Sequence, residues 1–320
     1  MGNFFKTFFS GTPDNPEEDK AKNDKKNFDI FKYDGVRAQK MGQLDYAIRC
    51  YNEALKLEED FETLNYLLGA YTQRGRFDDA VAAADRMVAL EPELAAPLLS
   101  RANLHYMQED YPPALADCER VLALDAENYP AYFLRGKVRK NTGDALGAIA
   151  DLTRAAALKD DFADAYLLRS EVLLQLGQTA EALEDTDRVL ALAPDEENAY
   201  LLRGKIREAA GDTAAAQAEY QAVLDLNPFN EQAYLQLGEL YIRSGELDRA
   251  IEFFDEALEI KDDFVKAYNE RGRAKYLKGD KEGAAGDLKK ALELDPEGEI
   301  AGKLEGQLKN FGDMYRGGIY

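Results

Sequence analysis

The sequence contains little of the material from which catalytic and metal sites are usually built. Its 320 residues include one histidine, His105, and two cysteines, Cys50 and Cys118, which lie far apart and form no C-x-x-C pair. A zinc site or a Cys–His nucleophile pair therefore lacks partners. We expect no catalytic residue, no bound metal and no cofactor. The two isolated cysteines also exclude a disulfide framework and fit a reducing compartment.

Positive charge and long apolar runs are equally scarce. The formal net charge of −21 repels a phosphate backbone, which argues against nucleic-acid binding. No apolar run approaches the roughly 18 residues of a membrane-spanning helix, and the N-terminus lacks the features of a signal peptide. Hydrophobic residues nevertheless make up 46% of the chain, enough for a continuous core. We therefore expect a folded, acidic protein of the cytoplasm.

Repetition is what the sequence has in abundance. The phrase AYLLR occurs at Ala165–Arg169 and again at Ala199–Arg203, and the near copy AYFLR occurs at Ala131–Arg135. Single residues follow the same interval of 33 or 34, as a series of alanines and a series of glycines: Ala47, Ala80, Ala114, Ala148, Ala182, Ala216, Ala250 and Ala284; Gly42, Gly75, Gly143, Gly177, Gly211, Gly245 and Gly279. About a dozen residues with helical apolar spacing flank each glycine, which predicts repeated helix–turn–helix units.

The units resemble the tetratricopeptide repeat (TPR) family, whose pattern is aromatic-x-x-Leu-Gly-x-x-Tyr, then Ala-x-x-x-Phe, then Pro. One unit matches it at every position except the proline, where Asp262 stands: Tyr234, Leu237, Gly238, Tyr241, Ala250 and Phe254. Residues 28–298 divide into eight units: 28–60, 61–94, 95–128, 129–162, 163–196, 197–230, 231–264 and 265–298. The resemblance implies an all-α, right-handed superhelix (an α-solenoid), with first helices on the concave face and second helices on the convex face.

Small residues at a fixed place in the first helices predict close packing inside each unit. We expect these glycines to let the alanines of the second helix approach, and the tyrosines four residues earlier to fill the contact with the neighbouring unit: Gly136, Gly204, Gly238 and Gly272; Tyr132, Tyr166, Tyr200, Tyr234 and Tyr268. A single helix pair cannot bury its apolar face, so the units must stack.

The two ends of the chain differ from the repeats. A helical apolar spacing predicts a capping helix over 299–315, followed by a short tail at 316–320, with one face formed by Ile300, Leu304, Leu308, Phe311 and Tyr315. Residues 1–27 are predicted to be a flexible tail, in which Thr12–Asn27 is a polar linker. Its aromatic segment is not needed for the repeat core: Phe4, Phe5, Phe8 and Phe9. Either it is a disordered tail with no role, or it docks on a partner, on the groove or on a membrane. The single lysine there, Lys6, disfavours the membrane.

The seventh residue of five units is an arginine, and the residue sixteen positions later is then always acidic. The pairs are Arg101 with Asp117, Arg135 with Asp151, Arg169 with Asp185, Arg203 with Glu219, and Arg271 with Asp287. In the other three units neither member is present. A half-buried guanidinium needs a carboxylate to stay charged at tolerable cost, so we predict structural ion pairs between the two helices of each unit.

A binding surface is expected where the family has its concave face. By that resemblance it carries the second, fifth, ninth, twelfth and thirteenth residues of each unit. The fifth residues form an apolar ladder: Leu99, Phe133, Leu167, Leu201 and Leu235. The ninth residues alternate in sign: Lys137, Glu171, Lys205, Glu239 and Arg273. Either these charges pair along the groove floor, or they set the register of a bound peptide whose apolar side chains lie on the ladder.

Two basic clusters could receive a ligand carboxylate or could be solvated helix faces. The first places Lys137, Lys140 and Asn141 beside Phe133, and the second comprises Lys266, Asn269, Arg273 and Tyr276. The carboxylate clamp of TPR co-chaperones is not reproduced, because Val36 and Tyr66 stand where asparagines belong. We expect a non-enzymatic scaffold or adaptor that binds a protein or peptide segment in the concave groove. The alternatives are a self-assembling structural protein, which would be a homo-oligomer, and a peripheral membrane adaptor using the Phe-rich tail.

Overall fold

The chain forms consecutive α-helices joined by short turns. The structure is a computed structural model that describes residues 16–296, and over that range it contains sixteen helices and no strand. The helices are α1 Pro16–Lys40, α2 Leu44–Leu57, α3 Phe61–Gln73, α4 Phe77–Leu90, α5 Ala95–Met107, α6 Tyr111–Leu124, α7 Tyr129–Asn141, α8 Ala145–Leu158, α9 Ala163–Gln175, α10 Thr179–Leu192, α11 Glu197–Ala209, α12 Thr213–Leu226, α13 Glu231–Arg243, α14 Leu247–Ile260, α15 Val265–Lys278 and α16 Lys281–Leu294.

The helices fall into two compact units. The first is Met1–Lys159 and holds α1 to α8, and the second is Asp160–Tyr320 and holds α9 to α16. Within each unit every helix packs against the next along the chain. Seven odd-numbered helices, α3 to α15, begin at the first residue of a sequence repeat. None of the helices described is both long and apolar enough to cross a membrane.

The turn inside each repeat requires a left-handed backbone conformation. Seven glycines adopt it, with φ between 72° and 97°: Gly42, Gly75, Gly143, Gly177, Gly211, Gly245 and Gly279. Glycine takes this conformation without the steric cost that a Cβ brings. In the third repeat the same place is held by Glu109, at φ 59°, the one non-glycine residue with positive φ in the described range.

The repeated alanines of the second helices lie in the core of the protein. All eight are completely buried: Ala47, Ala80, Ala114, Ala148, Ala182, Ala216, Ala250 and Ala284. Their small side chains let the two helices of a hairpin come close, as the spacing predicted. The apolar residues around them form the core of each unit, including Tyr51 in the first and Tyr220 and Phe254 in the second.

The space above two of the four first-helix glycines is filled differently from the prediction. We expected Gly204 and Gly238 to make room for alanines, but a Cβ on either would clash with the ring of Tyr220 or Phe254, sixteen residues later. A Cβ on Gly136 would lie 3.0 Å from Cγ of Leu152. At Gly204 and Gly238 the aromatic ring of the second helix thus needs the volume that a Cβ would occupy. A Cβ on Gly272 would lie 3.3 Å from the backbone oxygen of Ala284, and one on Gly136 would lie 3.5 Å from that of Ala148, so the expected approach of the alanines is seen at these two glycines.

The N-terminal boundary also differs from the prediction. Helix α1 begins at Pro16, so residues 16–27 of the expected polar linker are helical and continue into the first repeat. Lysine, glutamate and alanine in this stretch are good helix formers, and proline is favoured in the first turn of a helix. The expected Phe-rich segment, the capping helix at 299–315 and the tail at 316–320 lie outside the described residues.

Candidate functional site

The repeated arginines form the ion pairs that the sequence predicted. Four of them donate two hydrogen bonds each to their aspartate: Arg101 to Asp117 at 2.7 and 2.6 Å, Arg135 to Asp151 at 2.9 and 2.7 Å, Arg169 to Asp185 at 2.7 and 2.5 Å, and Arg271 to Asp287 at 2.9 and 2.5 Å. Arg203 donates one to Glu219 at 2.8 Å. The arginine side chains are 16–20% exposed and the acids 4–13%. The predicted pairing is confirmed at all five places.

Three of these arginines also bind the preceding repeat, which the sequence analysis did not predict. Arg101 reaches Asp85 at 2.5 Å, Arg203 reaches Asp187 at 2.7 Å, and Arg271 reaches Asp255 at 2.5 Å. Each of these acids lies sixteen residues before its arginine, so the signal was present in the spacing. Four arginines also lie 5.3–5.5 Å from a tyrosine ring three residues earlier: Arg135 over Tyr132, Arg169 over Tyr166, Arg203 over Tyr200 and Arg271 over Tyr268. Three of the guanidinium groups therefore connect neighbouring repeats within a unit.

The first basic cluster makes most of its contacts inside the protein. Lys137 Nζ lies 4.3 Å from the centroid of the Tyr106 ring and 5.8 Å from that of Phe133. The Asn141 amide donates to the Tyr106 hydroxyl at 3.3 Å and to the Tyr111 hydroxyl at 3.2 Å. The cluster is thus an aromatic and polar network at the ends of α5, α6 and α7. Leu99 is half-buried and packs in the core of the same unit.

The second basic cluster surrounds a carboxylate of the chain itself. Arg273 Nη1 lies 2.9 Å from Oε2 of Glu270, although the two are not aligned as a hydrogen bond. Asn269 donates to Oε1 of Glu270 at 3.1 Å. Burial raises the pKa of Glu270, and the charge of Arg273 opposes that effect. Two of the predicted groups thus already face an internal acid, while Lys266 and Tyr276 are exposed on the same helix.

Three predicted groove residues meet at one depression in the second unit. Leu167, Leu201 and Lys205 all contribute to a depression of about 500 Å³. The residues around it come from three first helices: Leu167, Glu171, Leu174 and Gln175 of α9; Asn198, Leu201, Leu202 and Lys205 of α11; and Gln232 of α13. Leu202 occupies a sixth position, which the expected concave face did not include. Leu235, the next residue of the predicted ladder, is half-buried and packs against the core of this unit.

Capping side chains fix two of the three helices that carry this depression. Helix α11 begins after Glu196, whose carboxylate accepts from the backbone N–H of Asn198 at 3.2 Å. Helix α13 begins after Asn230, whose side chain accepts from the backbone N–H of Ala233 at 2.9 Å. Such caps satisfy N–H groups that the helix itself leaves without partners. The depression is therefore built on regular helices rather than on loops.

The described residues offer little for chemistry at this or any other place. No group of three or more His, Cys, Asp or Glu side chains in residues 16–296 could hold a metal ion. His105 is 15% exposed, and its Nδ1 lies 3.7 Å from the carboxylate of Asp110. Cys118 is fully buried, and burial raises the pKa of its thiol to about 12, which keeps it protonated and unreactive.

Sixteen helices in phase with a 34-residue sequence interval define a tandem-repeat protein built from helical hairpins. Models of the tetratricopeptide repeat match residues 35–95, 70–132, 102–173, 163–196, 201–264 and 265–297. The chain belongs to the tetratricopeptide repeat family, as the resemblance indicated. Repeats of this family generally mediate protein–protein interactions.

Solved structures with the same fold are distant in sequence. A tetratricopeptide repeat protein from Parabacteroides merdae is similar with a TM-score of 0.60 and 20% identity, over 76% of this chain and 96% of that one. The Cut9–Hcn1 hetero-tetramer of the APC/C is similar with a TM-score of 0.54 and 18% identity, over 82% of this chain and 52% of that one. The MamA protein is similar with a TM-score of 0.46 and 27% identity, over 54% of this chain and 94% of that one. No curated protein matches the sequence.

Proposed function

We propose that this protein is a non-enzymatic interaction scaffold whose second unit binds a segment of a partner protein. The observation that carries the proposal is the depression formed by α9, α11 and α13. It places Leu167 and Leu201 beside charged and amide side chains on the first helices of three successive repeats. An apolar floor with a few polar groups is the usual make-up of a site that binds a ligand in a defined orientation.

The remaining candidate surfaces support this choice. The repeated arginines are held by acids, and both basic clusters make contacts within the protein. The depression instead leaves Leu167 and Leu174 partly exposed above the buried Leu201 and Leu202. It is built on regular helices, and helices position a site more rigidly than loops do. We also propose a cytoplasmic location, which two cysteines without a disulfide support.

The proposal is tested with a random 12-residue peptide library displayed on phage and selected against the purified protein. Leu167→Arg should abolish enrichment of peptides, because a guanidinium would occupy the apolar floor. Leu226→Arg is the matched control, since Leu226 is an exposed leucine of the same unit that does not line the depression. Circular dichroism should show that both variants melt like the parent protein. Equal enrichment by the parent protein and Leu167→Arg would refute the proposed site.

A further inference from the structure

The depression of the second unit carries one positive charge that has no partner among the described residues. Lys205 is exposed, and no acid among residues 16–296 lies within ion-pair distance of its ammonium group. The other charged residue around the depression, Glu171, already interacts with a residue of the chain. One expectation from the sequence was that the alternating charges of the ninth positions pair with one another along the groove floor. At Lys205 they do not. In a chain with a net charge of −21, such a lysine is a local site of positive potential.

Amide side chains around the depression are also available for hydrogen bonding. Gln175 and Gln232 have no hydrogen-bond partner for their side chains in the part of the chain that the structure describes. Asn198 donates to Glu196 at 3.0 Å but keeps its carbonyl oxygen as an acceptor. A side-chain amide offers a donor and an acceptor together, which matches the N–H and C=O of an exposed peptide backbone. A helical ligand satisfies those groups internally, so the amides favour an extended segment.

The spacing of the floor residues sets the pattern of such a segment. Leu201 and Lys205 are four residues apart on α11, which places them about 6 Å apart along the helix axis. Side chains on the same side of an extended chain repeat about every 6.8 Å, at every second residue. A peptide with an apolar side chain near Leu201 can therefore present the residue two positions away to Lys205.

We propose that the depression recognises an extended peptide segment in which a carboxylate lies two residues from an apolar side chain, with the carboxylate bound by Lys205. The inference rests on the function proposed above and names the chemistry of its ligand. The apolar side chain lies on Leu167 and Leu201, and the amides of Gln175 and Gln232 bond to the peptide backbone. Lys205 thus selects acidic segments over neutral or basic ones.

The same phage selection tests this chemistry when it is repeated with two charge reversals. The parent protein should enrich peptides with an apolar residue and an Asp or Glu two positions away. Lys205→Glu should lose that preference and enrich Lys or Arg instead. Lys290→Glu is the matched control, since Lys290 is an exposed lysine of α16 in the same unit that does not line the depression, and it should keep the parent pattern.

An enriched peptide is then synthesised with its acid and with the corresponding amide, and both are titrated by fluorescence anisotropy. Replacing the acid should weaken binding to the parent protein about tenfold or more, the effect of losing one charge-assisted contact. The same replacement should leave binding to Lys205→Glu unchanged or improved. Enriched peptides without an acidic preference, or an acidic preference that survives in Lys205→Glu, would overturn the ligand chemistry and leave the proposed function standing. Failure of the parent protein to enrich any peptide would overturn both.

Discussion

Arg169 donates two hydrogen bonds to Asp185, from Nε at 2.7 Å and from Nη2 at 2.5 Å, across the two helices of one repeat. The aspartate side chain is 6% exposed and the arginine 18%. Because the carboxylate is almost buried, loss of the guanidinium would leave it without compensation. The stability of the repeat therefore depends on both partners being present.

Removal of one partner from this pair should lower the free energy of unfolding strongly, and removal of the second partner should lower it little further. Arg169→Ala is expected to lower the free energy of unfolding by about 3 kcal/mol, since a buried charge stays unpaired. Arg169→Ala with Asp185→Ala should cost less than the sum of the single changes, as measured by urea unfolding. The exposed pair Arg249–Glu246 serves as the comparison and should show a much smaller coupling, because solvent screens both charges. Strictly additive effects at Arg169 and Asp185 would refute the pairing.

A methyl group at Gly204 should be poorly tolerated because the Tyr220 ring occupies that space. Gly204→Ala is expected to destabilise the protein by about 1–3 kcal/mol, the usual cost of overpacking a core. Adding Tyr220→Ala should remove that specific conflict, so the two changes should not be additive. Gly286→Ala is the matched control, since nothing lies within 4 Å of its added Cβ and α16 should gain helix propensity. Thermal melts of the four variants check the expectation.

Relief of the positive φ at Glu109 should stabilise the third repeat. This residue has φ 59° at the place where seven other repeats use glycine. Glu109→Gly is expected to raise the free energy of unfolding by about 1 kcal/mol, because glycine avoids the cost of the left-handed conformation. Gly211→Ala, at φ 80°, should lower it by a similar amount. A destabilising Glu109→Gly in chemical denaturation would contradict the steric argument.

The half-buried acid Glu270 should make stability depend on pH in a defined direction. Burial raises its pKa in the folded protein, against the opposing charge of Arg273. The folded state therefore binds this proton more readily than the unfolded chain. Its contribution to stability is present below the unfolded pKa and is lost as the pH rises through the folded pKa. Glu270→Gln should be more stable than the parent protein at pH 7, and the difference should shrink as the pH falls towards 4. A melting series between these pH values measures it, and a difference that grows on acidification would show that the sign is wrong.

Periodicity made the fold and the arginine pairs predictable from one sequence. Each copy of the repeat shows the same environment again, so Arg203 and Glu219 could be matched through the other four pairs. The glycine at each turn was equally visible, and Glu109 interrupts that series in both the sequence and the structure. The contact of Arg203 with Asp187 was not predicted, although Asp187 lies sixteen residues before the arginine and Glu219 lies sixteen residues after it.

Features that depend on volume or on several nearby helices were harder to predict. The sequence shows that Gly204 is small, but only the coordinates place the Tyr220 ring against it. The basic residues near Arg273 suggested a carboxylate site because the position of Glu270 among them was unknown. The boundary at Pro16 was missed because a polar composition that suits a linker also suits an exposed helix.

The repeat at 163–196 contains a complete set of these contacts. It holds Arg169, the acid Asp185 for its own arginine, and Asp187, which binds the arginine of the repeat that follows. If this repeat were copied and the copy inserted directly after it, the arginine of the copy would bind Asp187 of the original. The copy's own equivalent of Asp187 would then bind Arg203 of the next repeat. No charge would be left without a partner, so lengthening the array by gene duplication would require no compensating mutation at these positions.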